Sequence, residues 1–81
     1  MNEIDIHVGA KLREARVLRK LTREQLAEQL GVTVAQVQKY ETGQTRVSAA
    51  ALFVIAGVLR TDVNFFYKGL EPRPTLKPAR S

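Results

Sequence analysis

Covalent chemistry needs a nucleophile beside a base, paired carboxylates or a cluster of metal ligands. This sequence offers none of them. Its single histidine, His7, lies close to Asp5 near the start of a helical pattern, where histidine serves as a surface residue or cap. There is no cysteine, so thiolate nucleophiles, thiolate metal sites and disulfides are excluded. No HExxH spacing and no glycine-rich phosphate cradle occurs. The expectation is a protein that is not an enzyme and has neither metal nor cofactor. What remains is ionic and hydrogen-bonding chemistry. Thirteen Lys and Arg against eight Asp and Glu give a net charge of +5. A cationic surface favours a polyanion such as nucleic acid, because each neutralised phosphate releases counterions. Part of that charge sits in the tail, where Arg73, Lys77 and Arg80 face only Glu71.

The elements that must position these charges are all helical. Val8, Leu12 and Ala15 recur at helical spacing and predict a first helix from about Ile6 to Lys20, capped by Asp5. Thr22-Arg23-Glu24-Gln25 reads as a capping box that opens a second helix, with Gly31 ending it. Thr33-Val34-Ala35-Gln36 is a second box of the same form, and Gly43 closes the third helix. Ser48 caps a fourth, with Leu52, Ile55, Ala56 and Leu59 inside. Asp62 to about Lys68 predicts a fifth. Together these give an all-α, five-helix domain over residues 1–70. Pro72, Pro74 and Pro78 predict an extended or disordered basic tail over 71–81. With 81 residues the chain is at most one compact domain. The start has no continuous apolar run of the kind a signal peptide carries, and Ala49 to Leu59 is shorter than the ~20 residues a membrane span requires. A cytoplasmic chain without membrane contact is expected.

The small residues carry the sharper signal. Ala27 falls in the middle of the second helix, where the third must cross it closely. Gly31 permits the sharp reversal between them. Val37 inserts back among Leu26, Leu30, Val32 and Tyr40. This combination over Arg23 to Glu41 fixes a two-helix geometry in which the second member can enter a major groove.

With these residues in place, the chain resembles the Cro and lambdoid-repressor (Xre-type) helix-turn-helix family from about Val8 to Gly69. The resemblance is carried by VGAKLREAR, LTREQLAEQLGVTVAQVQKYETG, LFVIAGVL and DVNFFYKG. It implies a five-helix lambda-repressor-like fold and sequence-specific binding of double-stranded DNA by a dimeric bacterial or phage regulator, repressor-like, that associates with the nucleoid. It further implies that Arg16 of the first helix pairs with Glu41 and orients the recognition helix, about Thr33–Glu41. Matching positions make Val34, Ala35, Gln38 and Lys39 the base readers, with Gln36 beside them. Glutamine pairs with adenine N6 and N7, and lysine donates to guanine O6 and N7; valine and alanine touch only a thymine methyl. Gln44, Thr45 and Arg46 carry over as phosphate contacts from the loop after the recognition helix. Arg23 at the start of the second helix suits an anion, and Thr22 and Thr33 add hydroxyls.

Two positions depart from the family pattern. Lys20 stands where glycine is frequent, and Val47 where a proline or turn residue often precedes the fourth helix. Phe53, Val54 and Val58 lie off the main apolar stripe of that helix and form a candidate dimer surface. A homodimer on a palindromic operator is the expected assembly, with no small-molecule ligand. The alternative is a protein-interaction module or antitoxin-type regulator that engages a partner through the tail or the surface of the fourth and fifth helices.

Overall fold

A computed structural model describes residues 2–71. Of the expected tail over 71–81, all but Glu71 lies outside them. Helix α1 spans Glu3–Leu18, α2 Arg23–Leu30, α3 Val34–Thr42 and α4 Ala49–Val58, followed by a 3₁₀ helix Val63–Tyr67. No strand occurs among the described residues. The expected fifth α-helix is therefore replaced by a short 3₁₀ turn. Asp62 still caps it, its side chain accepting from the Asn64 N–H at 2.7 Å.

The start of α1 also differs from expectation. Asn2, not Asp5, is the cap: its Oδ1 accepts from the Ile4 N–H at 2.7 Å. Asp5 is thereby free for a tertiary role described below. At the other end the helix stops at Leu18, two residues early, because Lys20 turns into the left-handed region at φ 59°. Thr22 forms the full capping box with Gln25, with bonds of 3.0 and 2.8 Å. The second box is only half made. Thr33 accepts from the Gln36 N–H at 3.0 Å, and the Gln36 side chain makes no return bond. Gly31 and Gly43 end α2 and α3 with φ of 72° and 79°, a conformation that costs glycine little.

One apolar core joins every element. Val8, Leu12 and Ala15 from α1 meet Leu26 and Ala27 of α2, Val37 of α3 and Leu52, Ile55 and Ala56 of α4. Leu59 and Phe66 complete it, both with no solvent exposure. Phe66 is also in edge-to-face contact with Phe65, ring centroids 5.8 Å apart. Helix α1 packs mainly on α3 and the 3₁₀ turn, whereas α2 packs on α3 and α4. Val47 packs on this core as well, at the position from which an apolar residue staples the entry to a helix.

Long-range hydrogen bonds lock the ends of the elements together. Arg19 donates from Nε to the Leu59 carbonyl at 2.7 Å and from Nη2 to the Arg60 carbonyl at 2.8 Å, so α1 supplies partners for the exposed C-terminus of α4. His7 Nε2 lies 2.6 Å from the Lys68 carbonyl, tying α1 to the end of the 3₁₀ turn. The histidine thus has a structural contact.

Candidate nucleic-acid interface

The recognition geometry begins with what α3 hides. Val37 has no solvent exposure and Tyr40 packs partly buried against the same core. Helical spacing then turns Ala35, Gln38 and Lys39 away from the core, with Val34 at the edge of that face, and all four are exposed. Gln36 sits at the margin, half-buried. The five residues expected to read bases thus share one helix, with four on one open face.

Glu41 ties that helix to its neighbours. It is buried, and Arg16 bonds it through Nε at 2.6 Å and through Nη2 at 3.3 Å. Arg16 Nη1 also donates to the Leu21 carbonyl at 2.8 Å, so one guanidinium joins α1, the α1–α2 turn and α3. The same carboxylate takes a third bond, from Arg23 Nε at 3.0 Å. The expected pair is therefore a triad. Its planar forked donors suit a carboxylate better than a lysine would.

That triad changes the reading of Arg23. Its expected role was a phosphate grip at the start of α2. Here its Nε is committed to Glu41, while the side chain keeps 39% exposure. Thr22 Oγ1 accepts from the backbone of its own helix and Thr33 Oγ1 does the same, so both hydroxyls already serve as caps.

The loop after α3 is folded back onto the helix end. The amides of Gln44 and Thr45 donate to the Lys39 carbonyl at 3.0 and 3.2 Å. Gln44 and Arg46 are exposed and Thr45 is half-buried. Arg46 Nε lies 3.2 Å from Asp5 Oδ1, so this expected phosphate contact is tethered to α1. An exposed pair of this kind contributes little stability, but it holds the guanidinium beside the recognition helix.

On α4, Phe53 is 74% exposed and Val54 53%. Val58 does not belong with them: it is half-buried and packs on the core. The candidate dimer surface contracts to Phe53 and Val54, with the exposed Ala50 and Gly57 on the same helix.

Two glycines bring α1 against α3, and of these the sequence identified Gly43 only as a helix stop and Gly9 not at all. Gly9 is buried in α1, and a Cβ there would overlap the Tyr40 carbonyl oxygen and lie 2.8 Å from that of Glu41. Gly43 ends α3, and its missing Cβ would stand 2.6 Å from the Ile6 Cα. Both allow α1 to touch the backbone of the recognition helix. Only an invariant-like small residue pattern on α1 could have signalled the first, and a single glycine carries no such pattern. Among the described residues no group of acidic and histidine side chains could hold a metal, and no helix is long and apolar enough to cross a membrane.

The same architecture occurs in known regulators. The crystal structure of the clp gene regulator ClgR from C. glutamicum superposes with a TM-score of 0.75 at 27% identity, covering 78% of this chain and 82% of that one. The restriction-modification controller protein C.AhdI from Aeromonas hydrophila matches with a TM-score of 0.70 at 30% identity, over 75% of this chain and 92% of its own. In sequence, an HTH-type transcriptional regulator of Sinorhizobium medicae is 45% identical over 67 residues, 83% of this chain. The chain spans about half the length of that relative, 48%. The helix-turn-helix family model matches residues 12–66, from the buried Leu12 of α1 to the buried Phe66, so the match takes in the open face of α3, the Arg16–Glu41–Arg23 triad and the core behind them. On that extent of agreement, the chain belongs to the helix-turn-helix family.

Proposed function

We propose that this chain is a transcriptional regulator that binds double-stranded DNA sequence-specifically as a homodimer, with Thr33–Glu41 in the major groove of a palindromic operator. The observation that carries the reading is the division of α3: Val37 and Glu41 are buried and fixed, while Ala35, Gln38 and Lys39 stand open away from them, with Val34 exposed at the edge. Around that face lie Arg23, Gln44, Thr45 and Arg46 to hold phosphates. Phosphate contacts set register and affinity, and base contacts set preference. A DNA-bound protein of this kind works in the cytoplasm at the nucleoid, as a repressor when its operator overlaps a promoter.

Two of the four open readers cannot hydrogen-bond a base edge. Discrimination per half-site is therefore modest, and two half-sites are needed for a useful specificity ratio. The exposed Phe53 and Val54 provide a surface for the second copy. Selection of bound fragments from a random DNA pool tests the whole reading. The expected product is a palindrome with half-site centres about 34–36 Å apart, and a pool that yields no enriched sequence would refute it.

Single variants divide the interface by role. Lys39→Ala is expected to relax preference at one operator position, at a cost of about 1–3 kcal/mol there. Arg46→Ala should instead weaken cognate and scrambled DNA alike and lower the salt slope by about one for each half-site bound. Competition binding across a salt series checks both. Equal loss on both DNAs for Lys39→Ala would remove it from the readers.

The dimer has its own test. Phe53→Lys places a charge at the most exposed apolar position of α4 and should give a monomer by sedimentation equilibrium. Operator affinity is then expected to fall by about 100-fold or more, because the second half-site no longer benefits from linkage. A dimer that survives Phe53→Lys would move the interface elsewhere.

A further inference from the structure

We propose that Lys20 is a phosphate contact, the cation that gives the depression between the α1–α2 turn and the reading face of α3 its positive charge. The proposal rests on the DNA-binding reading above and adds a residue to it. An open depression of about 470 Å³ is lined by Arg16, Lys20, Thr22, Arg23, Val34 and Gln38, with Leu21 and Glu24. Two of those residues, Val34 and Gln38, belong to the proposed reading face, so a DNA strand beside the read bases passes over this hollow.

The charges in the hollow are not equivalent. Arg16 and Arg23 both bond Glu41, and Glu24 lines the same surface. One carboxylate, Glu41, thus engages both guanidiniums, and Glu24 adds a second negative charge at the rim. Lys20 is left as the one uncompensated cation: it is exposed, and it has no ion-pair partner among the described residues. Counted with Arg16 and Arg23 against Glu24 and Glu41, Lys20 supplies the net positive charge, and it adds to the half-open Arg23 a cation that Glu41 does not hold.

The backbone at this position makes the lysine conspicuous. Lys20 adopts φ 59°, a conformation that suits glycine and strains a residue with a Cβ. A purely structural explanation is available, since a cation just past a helix C-terminus interacts favourably with the helix dipole. Arg60 offers the comparison. It has φ 54° just beyond α4, the same relation to a helix end, yet it lines no part of the hollow.

The two explanations predict opposite signs. Lys20→Gly relieves the backbone and should raise the melting temperature by about 2–4 °C. At the same time it should lower operator affinity by about five- to tenfold per half-site at 0.1 M salt and reduce the salt slope by about 0.9 for each half-site bound. Lys20→Gln should lose the same affinity without the stability gain, and Lys20→Arg should keep the affinity. Arg60→Gly should gain stability and bind as wild type does. Wild-type affinity and salt slope in Lys20→Gln, with operator binding by wild type intact, would overturn the contact alone. An equal loss for Arg60→Gly would overturn it too, because overall charge would then explain the effect. Failure of the wild-type protein to bind any selected DNA would overturn the contact together with the reading on which it rests.

Discussion

Gly9→Ala is expected to destabilise the protein by about 3 kcal/mol or more, against the usual direction of that substitution. In an ordinary helix interior alanine is better than glycine by about 0.5–1 kcal/mol. At Gly9 the new methyl would overlap the Tyr40 carbonyl oxygen and crowd the Glu41 carbonyl at 2.8 Å. Both obstacles are main chain, so no rotamer change relieves them, and α1 must back away from α3. The same movement would loosen the Arg16–Glu41 bonds that cross this contact. Gly57 supplies the matched control. It also lies within a helix, α4, but a Cβ there meets nothing within 4 Å. Gly57→Ala should therefore stabilise by about 0.5–1 kcal/mol. Chemical denaturation of the two variants measures both signs in one experiment. A neutral Gly9→Ala would mean that α1 and α3 are not in backbone contact.

What was legible in the sequence was what local chemistry dictates. The Thr22 and Ser48 caps, the Gly31 and Gly43 stops and the apolar spacing of Leu26, Ala27 and Val37 each express themselves within a few residues, and all appear as expected. Errors arose where two neighbouring residues compete for one local role or where the partner is distant. Asp5 is a good cap by type, but Asn2 occurs earlier and takes the helix start, releasing Asp5 to meet Arg46. The second capping box has the right letters, yet Gln36 does not complete it. The segment after Asp62 has helical spacing but forms a 3₁₀ turn, with Phe66 driven fully into the core.

The candidate site was legible as an open face and illegible as a network. The exposure of Val34, Ala35, Gln38 and Lys39 follows once Val37 is known to point inward. That Arg23 joins Arg16 on Glu41 does not follow from any spacing, because it depends on how α1, α2 and α3 converge. Lys20 illustrates the same limit. From sequence it is a departure from a family habit, whereas in the fold it combines a left-handed backbone with a place in the hollow beside Val34 and Gln38. Distance in the chain, not weakness of the interaction, hid these features.

Glu41→Gln should have the second large effect, a loss of about 3 kcal/mol of folding stability. Breaking a buried ion pair costs roughly 3–5 kcal/mol because it leaves a charge without compensation. Arg16 is the residue so stranded, its side chain being 9% exposed, whereas Arg23 is open enough to turn toward water. That difference puts the expectation at the low end of the range. The amide also sets a second donor group against arginine N–H groups that previously met only acceptors. Replacing both partners tells a different story. Arg16→Met with Glu41→Leu removes the charges and their desolvation together, and is expected to fold about as well as wild type. If the triad serves to aim α3, that double variant should keep its melting temperature while losing discrimination between operator and scrambled DNA. Thermal melts paired with competition binding separate the two properties. Undiminished discrimination in the double variant would reduce Arg16 and Glu41 to packing residues and leave the aim of α3 to Gly9, Val37 and the core.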